Sequence, residues 1–346
     1  MISFGVNHHR AAREAYPNIV GRVRRLCDQR TPARSGFKGP TIIAVYFFTA
    51  PLANATHLRN NTTVWGCRIV RAVCCLLTVF GFLSALPCSA RAQSKLNASY
   101  TISLLGLTIG SGTWDIAIDA DQYSERAGGR ISGVAAALIT GEASGATHGV
   151  LTNDHAVPTA FEADVKTSAE TDTIKMKFDA AGVTDLVVEP PFPPTTQERV
   201  PVSDADRKGV LDPLSAGLVI VAGADDLLKP QSCEGRIPVF DGRRRFDVAL
   251  TFKRLETVKA KGGYQGPAIV CAIHLFPISG HRVAGTTIQH LVKSDAMEVA
   301  LAPLPGTRIL VPFRASIPTL VGTVVITADR FETAAPTPAT ANSKSQ

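Results

Sequence analysis

Apolar and polar side chains alternate one by one along several stretches of this chain, and a two-residue period commits a stretch to β-structure with one face turned inward. Phe246, Val248, Leu250 and Phe252 alternate with Asp247, Ala249, Thr251 and Lys253, behind residues 237–240 and an Asp241-Gly242 turn signal. That is a hairpin. A second one is read from Trp114, Ile116 and Ile118 against Asp115, Ala117 and Asp119, turning through Asp119-Ala120-Asp121 into residues 122–130. Further strands are predicted at 268–276, 296–302, 308–315 and 322–331, separated by Gly and Pro clusters such as Leu304-Pro305-Gly306. Helical periodicity is scarce. The best case is the short segment 203–216, capped by Ser203 or Asp204 and interrupted or ended at Asp212-Pro213, where one or two turns are expected. A sheet with so few helices to cover it must close on itself or enclose something.

A different pattern lies upstream. Residues 68–92 resemble a complete bacterial secretory leader: Arg68 and Arg71 supply the charged start, and 72–86 is an apolar run of about 15 residues, too short for a bilayer span of about 20. Pro87 breaks the run, and Ala90-Arg91-Ala92 offers small residues at the −3 and −1 positions, so cleavage is expected before Gln93. The expected division is therefore 1–63, a misplaced translation start or a disordered extension; 64–92, the signal peptide; 93–332, a single β-rich domain; and 333–346, a disordered tail rich in Ala, Pro, Thr and Ser. Prolines 190, 191, 193 and 194 form an extended connection inside the domain.

This division changes what the charge means. Of 36 Lys and Arg and 29 Asp and Glu, 12 basic and 2 acidic residues precede Gln93, leaving 24 basic against 27 acidic. The basic balance of the whole chain thus belongs to the segment expected to be removed, and nucleic acid is excluded as the implied partner. Of seven cysteines only Cys233 and Cys271 follow the leader. An even pair in an exported domain favours a disulfide over two separate buried thiols. Cys88 follows Ala85-Leu86-Pro87, which disfavours a lipid anchor, and no later run is long enough to span a bilayer.

The segments Tyr100-Thr101-Ile102-Ser103-Leu104-Leu105-Gly106-Leu107-Thr108-Ile109-Gly110, Val210-Leu211-Asp212-Pro213-Leu214-Ser215 and Val239-Phe240-Asp241-Gly242-Arg243-Arg244-Arg245-Phe246-Asp247 resemble the domain of unknown function 3108 family of exported Gram-negative proteins. The resemblance runs from about Asn97 to Glu332. It implies a periplasmic protein that is mostly β, with a large curved antiparallel sheet closing as a β-spiral or open barrel and one or two short helices. The family has no assigned activity, so no catalytic residue is carried over.

Candidate sites are sparse. Arg243, Arg244 and Arg245 beside Asp241 and Asp247 fit either an anion site, since guanidinium forks match phosphate and carboxylate, or a solvated hairpin whose charges guard a sheet edge. The histidines downstream of the leader are His148, His155, His274, His281 and His290, and no spacing among them suggests zinc. His274 shares a strand face with Val270, Ala272 and Phe276 and is expected in the core; His148 and His155 are expected at the surface. Gly141-Glu142-Ala143-Ser144-Gly145 lacks the context of a nucleophile elbow and reads as a small-residue loop. The Gly128-Gly129 and Gly262-Gly263 pairs read as turns. No catalytic residue, metal or cofactor is expected.

Three kinds of function are compatible with this reading. The first is a non-enzymatic periplasmic protein supporting envelope maintenance by holding a hydrophobic molecule, such as a lipid, or an envelope partner, in a cavity on the faces that carry Trp114, Phe252 and Phe276. The others are a protein interaction module without ligand and, least favoured, an envelope hydrolase.

Overall fold

The computed structural model describes residues 93–137, 140–168, 170–191 and 198–334. The expected leader, the extension before it, Pro193, Pro194 and residues 335–346 of the tail lie outside them, while Thr333 and Ala334 end the last strand and pair with Leu96 and Lys95. Fifteen strands form one sheet. The first group is β1 (Gln93–Leu104), β2 (Leu107–Asp119), β3 (Gln122–Ile131), β4 (Gly141–Leu151), β5 (Ala156–Thr167), β6 (Thr171–Asp179) and β7 (Gly182–Glu189). The second is β8 (Val219–Ile220), β9 (Arg236–Phe240), β10 (Arg245–Lys259), β11 (Gly262–Gly263), β12 (Gln265–Ser279), β13 (Glu298–Pro303), β14 (Ile309–Thr319) and β15 (Gly322–Ala334).

The order β7-β6-β5-β4-β3-β2-β1-β15-β14-β13-β12-β10-β9 makes two antiparallel meanders joined where β1 pairs β15. Among the strands of the described residues only β11 pairs in parallel, with β15, and Leu211 makes a parallel bridge to Val239. The sheet curls without closing. Its ends, β7 and β9, are bridged by the segment between them: Gly209 N–H donates to Ala181 O at 3.0 Å, and Leu211 exchanges bonds with Pro238 O and Phe240 N–H at 2.8 and 2.9 Å. Leu211 thereby occupies the outer edge of β9, satisfying backbone groups that an open edge leaves free. The β9–β10 turn also reaches across to β6. Gly242 has φ +87°, and a Cβ there would stand 2.5 Å from Ile174 Cγ2 on β6, so glycine is required twice over.

The curl has one main core. Leu96, Trp114, Ile116, Phe161, Ile174 and Met176 from the first meander pack in the same cluster as Phe240, Val270, Val311 and Phe331 from the second. Val210, Leu214 and Leu218 join them from the bridging segment, which forms a plug inside the first meander.

Both hairpins and the four later strands read from the sequence are present, with ends shifted by a few residues. Over 203–216, where one or two helical turns are expected, the chain makes two short 3-10 turns, Asp204–Arg207 and Ser215–Gly217. Ser203 begins the first in a capping box with Asp206, and the chain cannot continue as a helix because Val210 and Leu211 are drawn out to pair with the sheet. The one α-helix among the described residues, α1 (Thr286–Val292), was not anticipated. Residues 141–145 begin β4 and are not a loop, and Gly128-Gly129 lies inside β3 and is not a turn. Small residues there serve close approach: a Cβ at Gly145 would meet Leu214 of the plug at 3.4 Å, and one at Gly149 would stand 2.2 Å from Val157 O.

Candidate functional site

The plug is held by a buried polar network. Asp212 follows the β9 bridge, and its Oδ1 accepts the N–H groups of Leu214 and Ser215 at 2.9 and 3.0 Å. Its Oδ2 accepts the hydroxyls of Ser215 at 2.5 Å and Thr147 at 2.9 Å. Ser215 Oγ lies 2.7 Å from the Tyr123 hydroxyl. The Asp-Pro-Leu-Ser sequence thus makes an Asx-type turn whose two side chains reach β3 and β4. Deeper in the same interior, Glu125 is buried and accepts from Trp114 Nε1 at 2.9 Å, while its Oε1 has no hydrogen-bond partner. Burial first, and then the neighbouring Asp212 carboxyl, pushes Glu125 well above the usual carboxylate range; burial also raises Asp212 despite its four donors.

A folded-state carboxyl raised above its unfolded value binds a proton that the unfolded chain has already lost, so stability falls as pH rises from about 4.5 and levels off only above the raised value. Glu125→Gln is neutral throughout and keeps the Trp114 bond. Melting curves at pH 5 and pH 9 are expected to show the variant gaining on the wild type as pH rises, and a constant difference across that range would show that Glu125 stays ionised in the fold.

On the other side of the plug lies an apolar cavity of about 190 Å³, partly open to solvent. Pro213, Ala216 and Gly217 of the plug form one wall, Val248 and Leu250 of β10 with Ile273 and Leu275 of β12 another, and Val299, Leu301, Ala315 and Ile317 of β13 and β14 a third, with β8, β9, β15 and α1 adding further apolar side chains. Tyr100, Asp241 and Arg314 are the polar residues of the lining. Each is engaged: the Tyr100 hydroxyl donates to Pro312 O at 2.8 Å, Asp241 Oδ1 accepts the N–H of Arg243 at 2.8 Å, and Arg314 donates to Glu256 at 2.7 Å. Since an apolar cavity of about 150 Å³ stays dry and takes benzene, this one has room for a small apolar group and offers it no hydrogen-bonding guide.

The aromatic residues expected to face such a cavity do not. Trp114 is wholly buried in the first meander, and Phe252 and Phe276 are each 40% exposed. Two local facts account for this. The β10–β12 register shifts between Phe252 and Arg254, and Phe276 lies on the face of β12 opposite Ile273 and Leu275, with the Arg236 guanidinium 4.0 Å from its ring centre.

The three arginines are not a solvated cluster. Arg243 is buried and donates to Asp172 of β6 at 3.1 Å and to Pro190 O at 2.6 Å. Arg244 pairs with Asp241 at 3.5 Å, and Arg245 with Asp247 and with Phe246 O at 2.7 Å. Arg243 thus fastens the β9–β10 turn to the first meander while Arg244 and Arg245 brace the hairpin itself, and the edge they are expected to guard is covered by Leu211. Cys233 and Cys271 form a disulfide that ties a 3-10 turn, Pro230–Cys233, to β12 behind the cavity wall. His148 and His155 are exposed. His274 is only partly buried and faces Thr251 Oγ1 at 3.2 Å, because the face it shares with Phe276 turns outward at that end of β12. Ser144 sits mid-strand in β4, paired with Gly128 and Asp164. Among the described residues no group of His, Cys, Asp and Glu is arranged to hold a metal ion, and no helix is long and apolar enough to cross a membrane. Gln93 begins β1; Ala90 and Ala92 lie outside the described residues.

Sequence reasoning missed the cavity's position and the Glu125 site. The signal for both was the Val210–Ser215 stretch, where Asp-Pro and Ser beside three aliphatics mark a turn that must be buried.

No curated protein matches the chain. Among solved structures it is similar to a β-barrel-like protein of domain of unknown function DUF1849 from Brucella abortus, at 9% identity and a TM-score of 0.40, over 71% of this chain and 98% of that one. Residues 99–329 match the model of the family described as protein of unknown function (DUF3108), and the chain belongs to that family.

Proposed function

We propose that this is an exported, non-enzymatic protein of the periplasm that takes an apolar ligand into the cavity between the plug and the second meander, in support of the cell envelope. The observation that carries the reading is the cavity itself: its lining is almost wholly aliphatic, and the polar groups around it are already bonded within the protein. Interiors are normally packed without voids of this size, so space kept open among Leu250, Leu275, Val299 and Leu301 is space for a guest. Export is supported by the leader-like segment 64–92 and by the Cys233–Cys271 disulfide, which belongs in an oxidising compartment.

Ala315→Phe tests the ligand claim, because Ala315 lines the cavity and a phenyl group there occupies the void at little packing cost. Titration with the fluorescent probe N-phenyl-1-naphthylamine is expected to give saturable binding to the wild type, displaced by a fatty acid, with affinity lowered at least tenfold in the variant. Equal binding by both proteins would place the probe elsewhere and sink the reading.

A further inference from the structure

Two hairpin tips break the rules that govern turns. Between β1 and β2 the chain turns through Leu105 and Gly106 at φ +52° and +81°, the both-positive pattern that favours Asn, Asp or Gly at its first position and disfavours a bulky side chain. Between β14 and β15 it turns through Leu320 and Val321, where turn-forming polar residues are the norm. These four positions with Leu107 include three leucines and a valine that are 58–63% exposed. Neither burial nor turn geometry explains them. Ala120 also turns at positive φ, +58°, but it is small and is followed by Asp121, and the 152–155 loop carries Asn153 and Asp154, so neither turn exposes a large aliphatic side chain.

The two tips are one patch. β1 and β15 are neighbours, and a Cβ at Gly322 would stand 2.6 Å from Leu105 Cδ2. No charged residue occurs from Thr101 to Trp114 or from Ala315 to Ala328, so both hairpins are free of formal charge well back from their tips. The patch is also connected to the cavity. Ile317, which lines the cavity, pairs with Val324, Val324 pairs with Leu104, and Leu104 pairs with the exposed Leu107, a transverse aliphatic row from the cavity to the tip.

We infer that the paired tips dock on the surface of a lipid bilayer, and that the cavity's guest is the terminal segment of a lipid acyl chain, which enters and leaves along this row; the second half rests on the cavity reading above. A bilayer is the occupant that fits. Four protruding aliphatic side chains are far fewer than the roughly 20–30 residues a side that a stable protein interface uses, but they are enough to enter the headgroup boundary reversibly, and the flanking Ser103, Thr108, Thr319 and Thr323 hydroxyls suit headgroup depth. With no charge at the tip, docking is independent of salt.

The test uses protein recovered from cells expressing the full sequence and vesicles of phosphatidylcholine. Hydrogen–deuterium exchange is expected to slow at 104–108 and 319–323 when vesicles are added, at low and high salt alike, and not at the opposite turn, 119–122. Leu105→Asn, which suits the turn, is expected to melt no lower than the wild type and yet sediment with vesicles severalfold less; Leu320→Ser with Val321→Ser, outside the row, lowers the bound fraction at least tenfold without changing probe binding in solution. Unchanged exchange at both tips with probe binding intact would overturn docking and leave the cavity reading standing. Protected tips with no probe binding would overturn the acyl-chain assignment together with the cavity reading. Tip protection that grows with protein concentration in the absence of vesicles would assign the patch to a second copy and overturn the inference.

Discussion

Asp212→Ala is expected to destabilise the protein by about 4 kcal/mol, since it leaves two backbone N–H groups and two hydroxyls buried without their acceptor at about 1–3 kcal/mol each, with partial relaxation. All four donors, from Leu214, Ser215 and Thr147, lie in the interior, and Asp212 itself is wholly buried. The effect reaches beyond stability. Pro213, Ala216 and Gly217 form the cavity wall nearest the plug, so loosening the turn opens the cavity and weakens probe binding. Asp212→Asn retains one acceptor for the two N–H groups, and the hydroxyls can rotate to meet its amide, so about 2 kcal/mol is expected. Urea denaturation of the three proteins measures this ordering. A loss below about 1 kcal/mol for Asp212→Ala would mean that the plug is held by its apolar contacts alone.

Removal of the disulfide is the second large effect. Cys233 and Cys271 are separated by 38 residues, and closing a loop of that length stabilises by about 4 kcal/mol in the chain-entropy account. Both sulfurs sit in an apolar cluster with Leu250, Val299 and Leu301, residues that also wall the cavity. Cys233→Ser with Cys271→Ser is therefore expected to lower the melting temperature by roughly 10 °C and to weaken the probe. Wild type in reductant should melt with the variant; if oxidised wild type and variant melt together, the bridge contributes nothing to the fold.

The parts of this fold legible in the sequence are those in which one face of a strand is aliphatic and the other polar. Trp114-Asp115-Ile116 and Phe246-Asp247-Val248 announce their strands because β2 and β10 have a packed side and a wetter one. β4 was hidden for a physical reason: its inward positions are Ala143, Gly145, Thr147 and Gly149, kept small by the plug and by β5, so apolar alternation is replaced by a run that looks like a loop. Helical structure over 203–216 stops at two 3-10 turns because, although Ser203 and Asp206 form a cap, edge pairing at Leu211 outweighs the propensity of so short a segment. Residue type alone identified Cys233 and Cys271 as a pair. It could not place Arg243, whose partners Asp172 and Pro190 come from the far end of the sheet, nor the cavity, whose lining is drawn from eight strands, α1 and the plug. Long-range packing of that kind leaves little trace in local pattern.

The most direct test of the ligand claim is native mass spectrometry of the protein purified from the periplasm of cells expressing the full sequence, without detergent. The account predicts a chain beginning at Gln93, two hydrogens lighter than its reduced form, carrying an organic-extractable adduct that is missing from Ala315→Phe prepared in parallel. A chain that carries no adduct, and that takes up neither probe nor fatty acid when offered them, would contradict it.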